Sequence, residues 1–249
     1  MKDNLGISIA VQTGKDNWER FQDLINEGYR RIELYNKLIR IRLADVKEIR
    51  EISEKYGIKL SLHSMVQDLF CIDEDIAKQE LYTLRGEIKL ASIIGCRRIV
   101  FHIHKKEELS DKDMRELQSL VDFASNLGVD LALENNQSSG ALSGEYFAVL
   151  VNKIKNLKVC LDIGHLNVAL GKGYLTEKES FLMEIKSKIV QLHVSYNNGK
   201  KDEHKEIDNA SEKYFQDIVN IIGNKMDFVI ETKNLAQAKT TLEVIKNLI

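Results

Sequence analysis

Nine acidic and imidazole residues stand at or just past the ends of short apolar runs: His63, His102, Glu134, Asp162, His165, His193, Asp202, His204 and Glu231. Histidine is scarce, 6 in the whole chain, and only His104, two residues beyond His102, lies outside this set. Imidazole nitrogens and carboxylate oxygens together suit Zn²⁺, Mn²⁺, Co²⁺ or Fe²⁺ better than Ca²⁺. Any one of these residues alone could be a satisfied core or surface group. Independent surface residues, however, have no reason to choose successive run ends, so the set points to a metal-dependent enzyme.

Such residues need a scaffold that brings run ends together. Apolar, β-rich runs are expected as strands over Leu5–Val11, Arg30–Tyr35, Ile58–His63, Arg97–His102, Val129–Glu134, Lys158–Asp162, Ile189–Val194 and Met226–Glu231. Amphipathic stretches alternate with them over Asp16–Glu27, Leu43–Tyr56, Glu74–Ile94, Asp111–Leu127, Glu145–Ile154, Thr176–Lys188, Ser211–Ile222 and Ala236–Leu248. Gly28, Gly57, Gly95 and Gly128 each close a helical stretch just before a strand, where a left-handed cap is wanted. Eight strand–helix units predict an α/β fold, a single (β/α)8 TIM barrel over residues 1–249, in preference to an open doubly wound sheet.

In such a barrel the C-terminal strand ends share one mouth. Alternate residues face inward, so His63, Glu134, Asp162 and Glu231 should share the interior with Ser61, Ala132, Cys160 and Val229. These companions are small or β-branched, as a crowded interior requires, and Cys160 is expected to be core rather than ligand. Glu33 has inward parity too, and is either an ion-paired carboxylate or a polar group at the mouth. His63, His102 and Glu134, from the third to fifth strands, can surround one ion. Glu134, Asp162, His193 and Glu231, from the fifth to eighth, can surround another, with Glu134 as a bridge. His165, Asp202 and His204 fall on the loops after the sixth and seventh strands and suggest a third site. His104 shares the parity of His102 and is the alternative fourth-strand ligand.

Composition narrows the function classes. A net charge of −2, with 36 basic against 38 acidic residues, gives no basic footprint for nucleic acid. No apolar stretch reaches the ~20 residues of a membrane span, and Met1–Val11 lacks a charged-then-apolar leader. Cys71, Cys96 and Cys160 are unclustered and odd in number, which suits reduced thiols in a cytoplasmic protein.

Leu60-Ser61-Leu62-His63, Val100-Phe101-His102, Leu131-Ala132-Leu133-Glu134-Asn135, Leu161-Asp162-Ile163-Gly164-His165, His193, Asn197 through His204 and Ile230-Glu231 occur in that order. In this order the chain resembles, over essentially its whole length, the superfamily of xylose isomerase-like barrels. That superfamily includes endonuclease IV (family 2 AP endonuclease) and many sugar or sugar-phosphate isomerases and epimerases. The resemblance implies that all nine residues have counterparts in a trinuclear zinc site of the endonuclease IV type. The subset Glu134, Asp162, His193 and Glu231 corresponds to the epimerases' four-ligand site. Departures stand beside these matches: Ile103-His104 replaces a common Pro-Gly, and Ile207-Asp208-Asn209 a Gly-x-Gly turn. Val66-Gln67 stands where endonuclease IV enzymes carry a Tyr-Leu wedge for damaged DNA, and the chain looks short for that enzyme.

The expected function is therefore a metal-dependent isomerase or epimerase of carbohydrate metabolism, acting on a small sugar, sugar phosphate or polyol ketone through an enediolate. Glu134 and Glu231 would move the carbon-bound proton, and one to three divalent ions (Zn, Mn, Co or Mg) would be held by the nine-residue set. His165, Asn135 and Glu33 are candidates for contact with substrate, although Asn135 reads more simply as a turn residue. An endonuclease IV-like zinc phosphodiesterase is the alternative reading, and a ligand-binding barrel without catalysis is a third.

Overall fold

Eight parallel strands close on themselves in chain order, β1 to β8, with β8 pairing back onto β1. The structure is a computed structural model describing residues 4–11, 17–35, 43–103, 108–137 and 144–249. The strands are β1 (Leu5–Ser8), β2 (Arg31–Tyr35), β3 (Lys59–His63), β4 (Arg98–Phe101), β5 (Asp130–Glu134), β6 (Lys158–Asp162), β7 (Ile189–Val194) and β8 (Asp227–Ile230). The last residues expected in the fourth and eighth strands, His102 and Glu231, lie just past β4 and β8, and Ile9–Val11 form a 3₁₀ turn rather than strand. The predicted (β/α)8 barrel is the fold.

The helices are α1 (Asn17–Asn26), α2 (Leu43–Tyr56), α3 (Glu74–Ile94), α4 (Asp111–Asn126), α5 (Glu145–Lys153), α6 (Ile163–Gly171), α7 (Lys178–Ile185), α8 (Glu212–Ile222) and α9 (Leu235–Leu248). Their ends follow local chemistry. Ser110 and Asp113 form a reciprocal capping box on α4. Asp73 caps α3 by accepting from the N–H groups of Asp75 and Ile76, and Gly95 ends that helix at φ 81°, a left-handed conformation that glycine adopts without penalty. No helix among the described residues is long and apolar enough to cross a membrane.

Helix α6 is absent from the pattern the sequence shows. It begins directly at the end of β6 and is buried at Ile163, Gly164, Leu166, Val168 and Ala169. A helix covered on most sides has no polar stripe to betray its period. His165, expected on a loop, therefore sits in the first turn of a helix.

Two cores result. The larger packs helices against the outer barrel face; the smaller, inside the barrel, is built from Val100, Ala132 and Cys160. Cys160 is thus core, as its parity predicts. A register shift between Val159 and Cys160 pairs Val159 with Ile189 but Cys160 with Gln191, which leaves Val190 as an extra residue. This bulge resets β7 so that Gln191 lies beside Cys160 and His193 beside Asp162. Below, at the N-terminal end of the barrel, Asp227 ties Arg31 and Arg98 together at 2.5 and 3.0 Å.

Candidate metal centre

The ends of β5, β6 and β7 and the residue following β8 supply one tight group of donors. Glu134, Asp162, His193 and Glu231 each offer an atom within 4.8 Å of all the others. His193 Nδ1 is 3.1 Å from Glu134 Oε1 and 3.4 Å from Glu231 Oε2. Adjacent strands in register cause this convergence, because Asp162 pairs directly with His193.

Glu134 faces a second group with its other oxygen. Its Oε2 lies 3.1 Å from both His63 Nε2 and His102 Nε2, and the three residues form a separate cluster of potential ligands. The carboxylate thus stands between two sets of donors. A third arrangement lies on the loop after β7, where Asp202 Oδ2 is 2.9 Å from His204 Nε2 and 3.4 Å from His165 Nε2. His165 also joins the sets, its Nδ1 being 3.6 Å from Glu134 Oε1.

Asp162 divides its carboxylate between two tasks. Oδ1 accepts from the His165 N–H at 2.7 Å and caps α6. Oδ2 is buried and has no hydrogen-bond partner. A buried carboxylate oxygen without a donor is costly, and Asp202 Oδ1 shares this condition. Cations at both places would remove the cost, so the donor set fits divalent ions in type, closeness and unmet bonding.

The electrostatics agree. Burial alone would raise Glu134, yet the charge and hydrogen bonds of His193 and His102 hold it well below the usual carboxylate range. Burial pushes Asp162 up to about 6, although the nearby His165 charge opposes it. Burial disfavours protonation of His63, His165 and His204, but the carboxylates win: Glu134 lifts His63 to about 9, Asp162 and Asp202 lift His165 to about 10, and Asp202 lifts His204 to about 9. These imidazoles hold protons where a cation could sit instead.

Above the donors lies a cavity of about 550 Å³, whose walls include His63, His102, Glu134, His165, His204 and Glu231. That volume is within the ~300–1,000 Å³ usual for small-molecule sites. Tyr35, Thr232 and Lys233 also line it, and none of them was among the expected site residues. Tyr35 was legible in hindsight, two residues past Glu33 with the same parity. Its ring meets His63 edge-on at 4.8 Å.

Two expected substrate contacts lie elsewhere. Glu33 is completely buried and does not line the cavity. The register is the reason: Glu33 pairs with Ser61 and Tyr35 with His63, so Glu33 stands one interior layer below the mouth. Asn135 is a bracket between strand ends, its Oδ1 accepting from the Asp162 N–H at 2.7 Å and its Nδ2 donating to the Asp162 carbonyl at 3.0 Å. It is buried and absent from the cavity wall. Asn135→Ala is expected to cost roughly 1–3 kcal/mol of stability, the penalty for a buried N–H left unpaired. Denaturant unfolding checks it, and an unchanged midpoint would show the bracket to be dispensable. His104, the alternative to His102, lies outside the described residues.

The loop that carries Asp202 and His204 is fastened to α6. Asn197 Nδ2 donates to the Gly164 carbonyl at 2.8 Å, and Asn167 Nδ2 donates to the Asn197 carbonyl at 2.8 Å. A Cβ on Gly171 would stand only 2.2 Å from the Gly199 carbonyl oxygen, so this approach requires glycine.

Comparison with known proteins agrees with this architecture. The profile of the xylose isomerase-like TIM barrel family matches residues 21–248. Uncharacterized protein MJ1311 of Methanocaldococcus jannaschii is 26% identical over 219 residues, 81% of this chain and 74% of that protein. Among solved structures, a D-tagatose 3-epimerase-like protein superposes with a TM-score of 0.82 at 20% identity, over 98% of this chain and 96% of its own. The IolI protein, in a crystal structure with a bound zinc atom, gives 0.80 at 16% identity over 99% of both chains.

Proposed function

The chain belongs to the xylose isomerase-like TIM barrel family, and on that premise we propose that it is a metal-dependent isomerase or epimerase of a small sugar, sugar phosphate or related polyol ketone. The observation that carries this reading is the placement of two carboxylates, Glu134 at 3.1 Å and Glu231 at 3.4 Å from His193 Nδ1, both lining the 550 Å³ cavity. Asp162 and His193 would complete the set that holds the ion. When bound, a divalent ion would polarise the substrate carbonyl and its neighbouring hydroxyl, making the adjacent C–H more acidic. The likeness to an epimerase-like barrel and to a zinc-bearing one supports the choice.

The residues would then divide the proton transfer. Glu231, partly exposed to the cavity, takes the proton from the carbon next to the carbonyl, and the electron pair moves into an enediolate. Glu231 then returns that proton to the neighbouring carbon, the hydroxyl proton passing to the former carbonyl oxygen. Alternatively Glu134, first protonated by the adjacent His63 imidazolium, protonates the original carbon on its opposite face, while the proton on Glu231 leaves to solvent and His63 is reprotonated. The first outcome moves the carbonyl, and the second inverts one stereocentre. His165, which lines the cavity, would hold a substrate oxygen.

A second reading has its own support, since Glu134 lies against His63 and His102, and Asp202 against His165 and His204, donors that a trinuclear zinc phosphodiesterase would use beside the four-residue cluster. Against it, Val66, at the position of the DNA wedge, is completely buried and cannot enter a duplex. Replacing Asp202 and His204 together by Ala separates the two. The isomerase should keep incorporating solvent deuterium into its ketose, because Glu134, Asp162, His193 and Glu231 are untouched. The phosphodiesterase should lose its hydrolysis. Metal-dependent incision of abasic-site DNA by the wild-type protein, abolished in the double variant, would make the nuclease reading the correct one.

A further inference from the structure

Beneath the donor cluster, Glu33, Gln191 and His193 form a polar stack that is sealed from solvent, at 0%, 1% and 0% exposure. Polar side chains are placed there at a cost unless each bond is satisfied. Their arrangement can be followed upward from the N-terminal end of the barrel. Arg98, held by Asp227 at 3.0 Å, has its Nη1 3.1 Å from Gln191 Oε1. Guanidinium only donates, so the Gln191 amide must present its oxygen to Arg98 and its nitrogen to the other side. That nitrogen donates to Glu33 Oε2 at 2.5 Å, and Ser61 Oγ donates to the same oxygen at 3.1 Å.

Glu33 Oε2 is thereby occupied by two donors. Oε1 stands 3.0 Å from His193 Nε2 as an ion-pair contact and has no hydrogen-bond partner. Gln191 Nε2 also lies 3.0 Å from His193 Nε2, which leaves two arrangements. In one, His193 Nε2 carries its proton and directs it to Glu33. In the other, Nε2 accepts from Gln191, and its lone pair is forced against a buried carboxylate oxygen that has no donor at all. The second leaves a charged oxygen unpaired and is the costly one.

We propose that Glu33 is a positioning residue for the metal centre: oriented by Ser61 and by the Arg98-locked Gln191, it holds the proton of His193 on Nε2 and so turns the Nδ1 lone pair toward the space shared by Glu134, Asp162 and Glu231. The inference rests on the reading that this cluster binds a divalent ion. It assigns a task to the bulge in β7, which brings Gln191 to the level where it can link Arg98 to Glu33. It also separates Glu33 from the ligands themselves, since it touches the ion only through His193.

The first test uses the unmodified protein loaded with Zn²⁺ and labelled with ¹⁵N-histidine. Long-range ¹H–¹⁵N correlation should show His193 protonated on Nε2 and coordinated through Nδ1; the reverse pattern overturns the proposal. The second uses Glu33→Gln, which preserves shape but places an amide beside two donors. Its Zn²⁺ affinity, measured by competition with a chromogenic chelator, should fall about 10- to 100-fold, the usual effect of losing a partner that orients a ligand. The visible spectrum of the Co²⁺-loaded variant should change as well. Glu33→Gln with unaltered Zn²⁺ affinity and Co²⁺ spectrum sinks the positioning role. If that variant does not fold, the histidine spectrum of the wild type decides alone. Failure of the wild type to bind Zn²⁺ or Co²⁺ would overturn the metal reading itself, and with it this one, a result distinct from normal binding that ignores Glu33.

Discussion

Glu231→Gln is expected to lower turnover by about 10²- to 10⁴-fold, the contribution usual for a positioned acid–base group. The amide has nearly the same shape but takes no proton and is a weaker donor to a cation. Glu231 is the cleaner of the two proposed bases to test. Among the described residues its side chain makes one ion-pair contact, with His193 at 3.4 Å, whereas Glu134 touches His63, His102 and His193 at 3.1 Å and is buried. Replacing Glu134 would disturb the whole arrangement, so loss of activity there would be ambiguous. For Glu231→Gln, deuterium wash-in to the substrate and unfolding temperature should part company, exchange collapsing while the melt stays close to wild type. Wild-type exchange in a metal-loaded variant would remove Glu231 from the chemistry.

The second large effect is a stability that depends on metal and pH together. In protein stripped with a chelator, His63 at about 9, His165 at about 10 and His204 at about 9 are all raised above the ordinary histidine value near 6.5. A raised folded-state pKa contributes stability that is complete below about pH 6.5 and is lost as pH climbs through the folded values. The stripped protein should therefore melt at progressively lower temperature from pH 6.5 to about 10. Metal ions compete for those same nitrogens, so apparent affinity should rise over the same interval and protons should be released on binding. At a thousandfold excess over Kd, an ion adds about 4 kcal/mol, and the gap between loaded and stripped melts should widen with pH. Titration calorimetry in buffers of different ionisation enthalpy counts the protons. A gap that narrows as pH rises would mean that these histidines are not the ligands.

The extent to which the sequence foretold this site depends on what a single strand can encode. Alternation along a strand tells which residues face inward, and that sufficed for His63, Glu134 and Asp162, each of which ends its strand. It does not tell at which level a residue lies. Level is set by register between strands, and the pairing of Glu33 with Ser61 rather than His63 moved that carboxylate from the mouth to the layer below. Gln191 precedes His193 by two residues on the same face, yet an amide is not a ligand type and so carries no signal in the sequence. Helix α6 leaves no amphipathic signal in the sequence because it is buried on most sides. The bracket role of Asn135 is a matter of hydrogen bonds across strands, which spacing along the chain does not record.

Asp162 gives one of these features a consequence for ancestry. Its carboxylate caps α6 at His165, and its backbone is gripped by Asn135, so a lineage that abandoned the chemistry would still be selected to keep aspartate there for the sake of the fold. The Glu231 side chain caps no helix among the described residues and makes one ion-pair contact there, with His193, so it is under no such obligation. In a set of descendants, then, drift at the position of Glu231 would mark barrels that have lost their activity, while an intact Asp162 would say little about function.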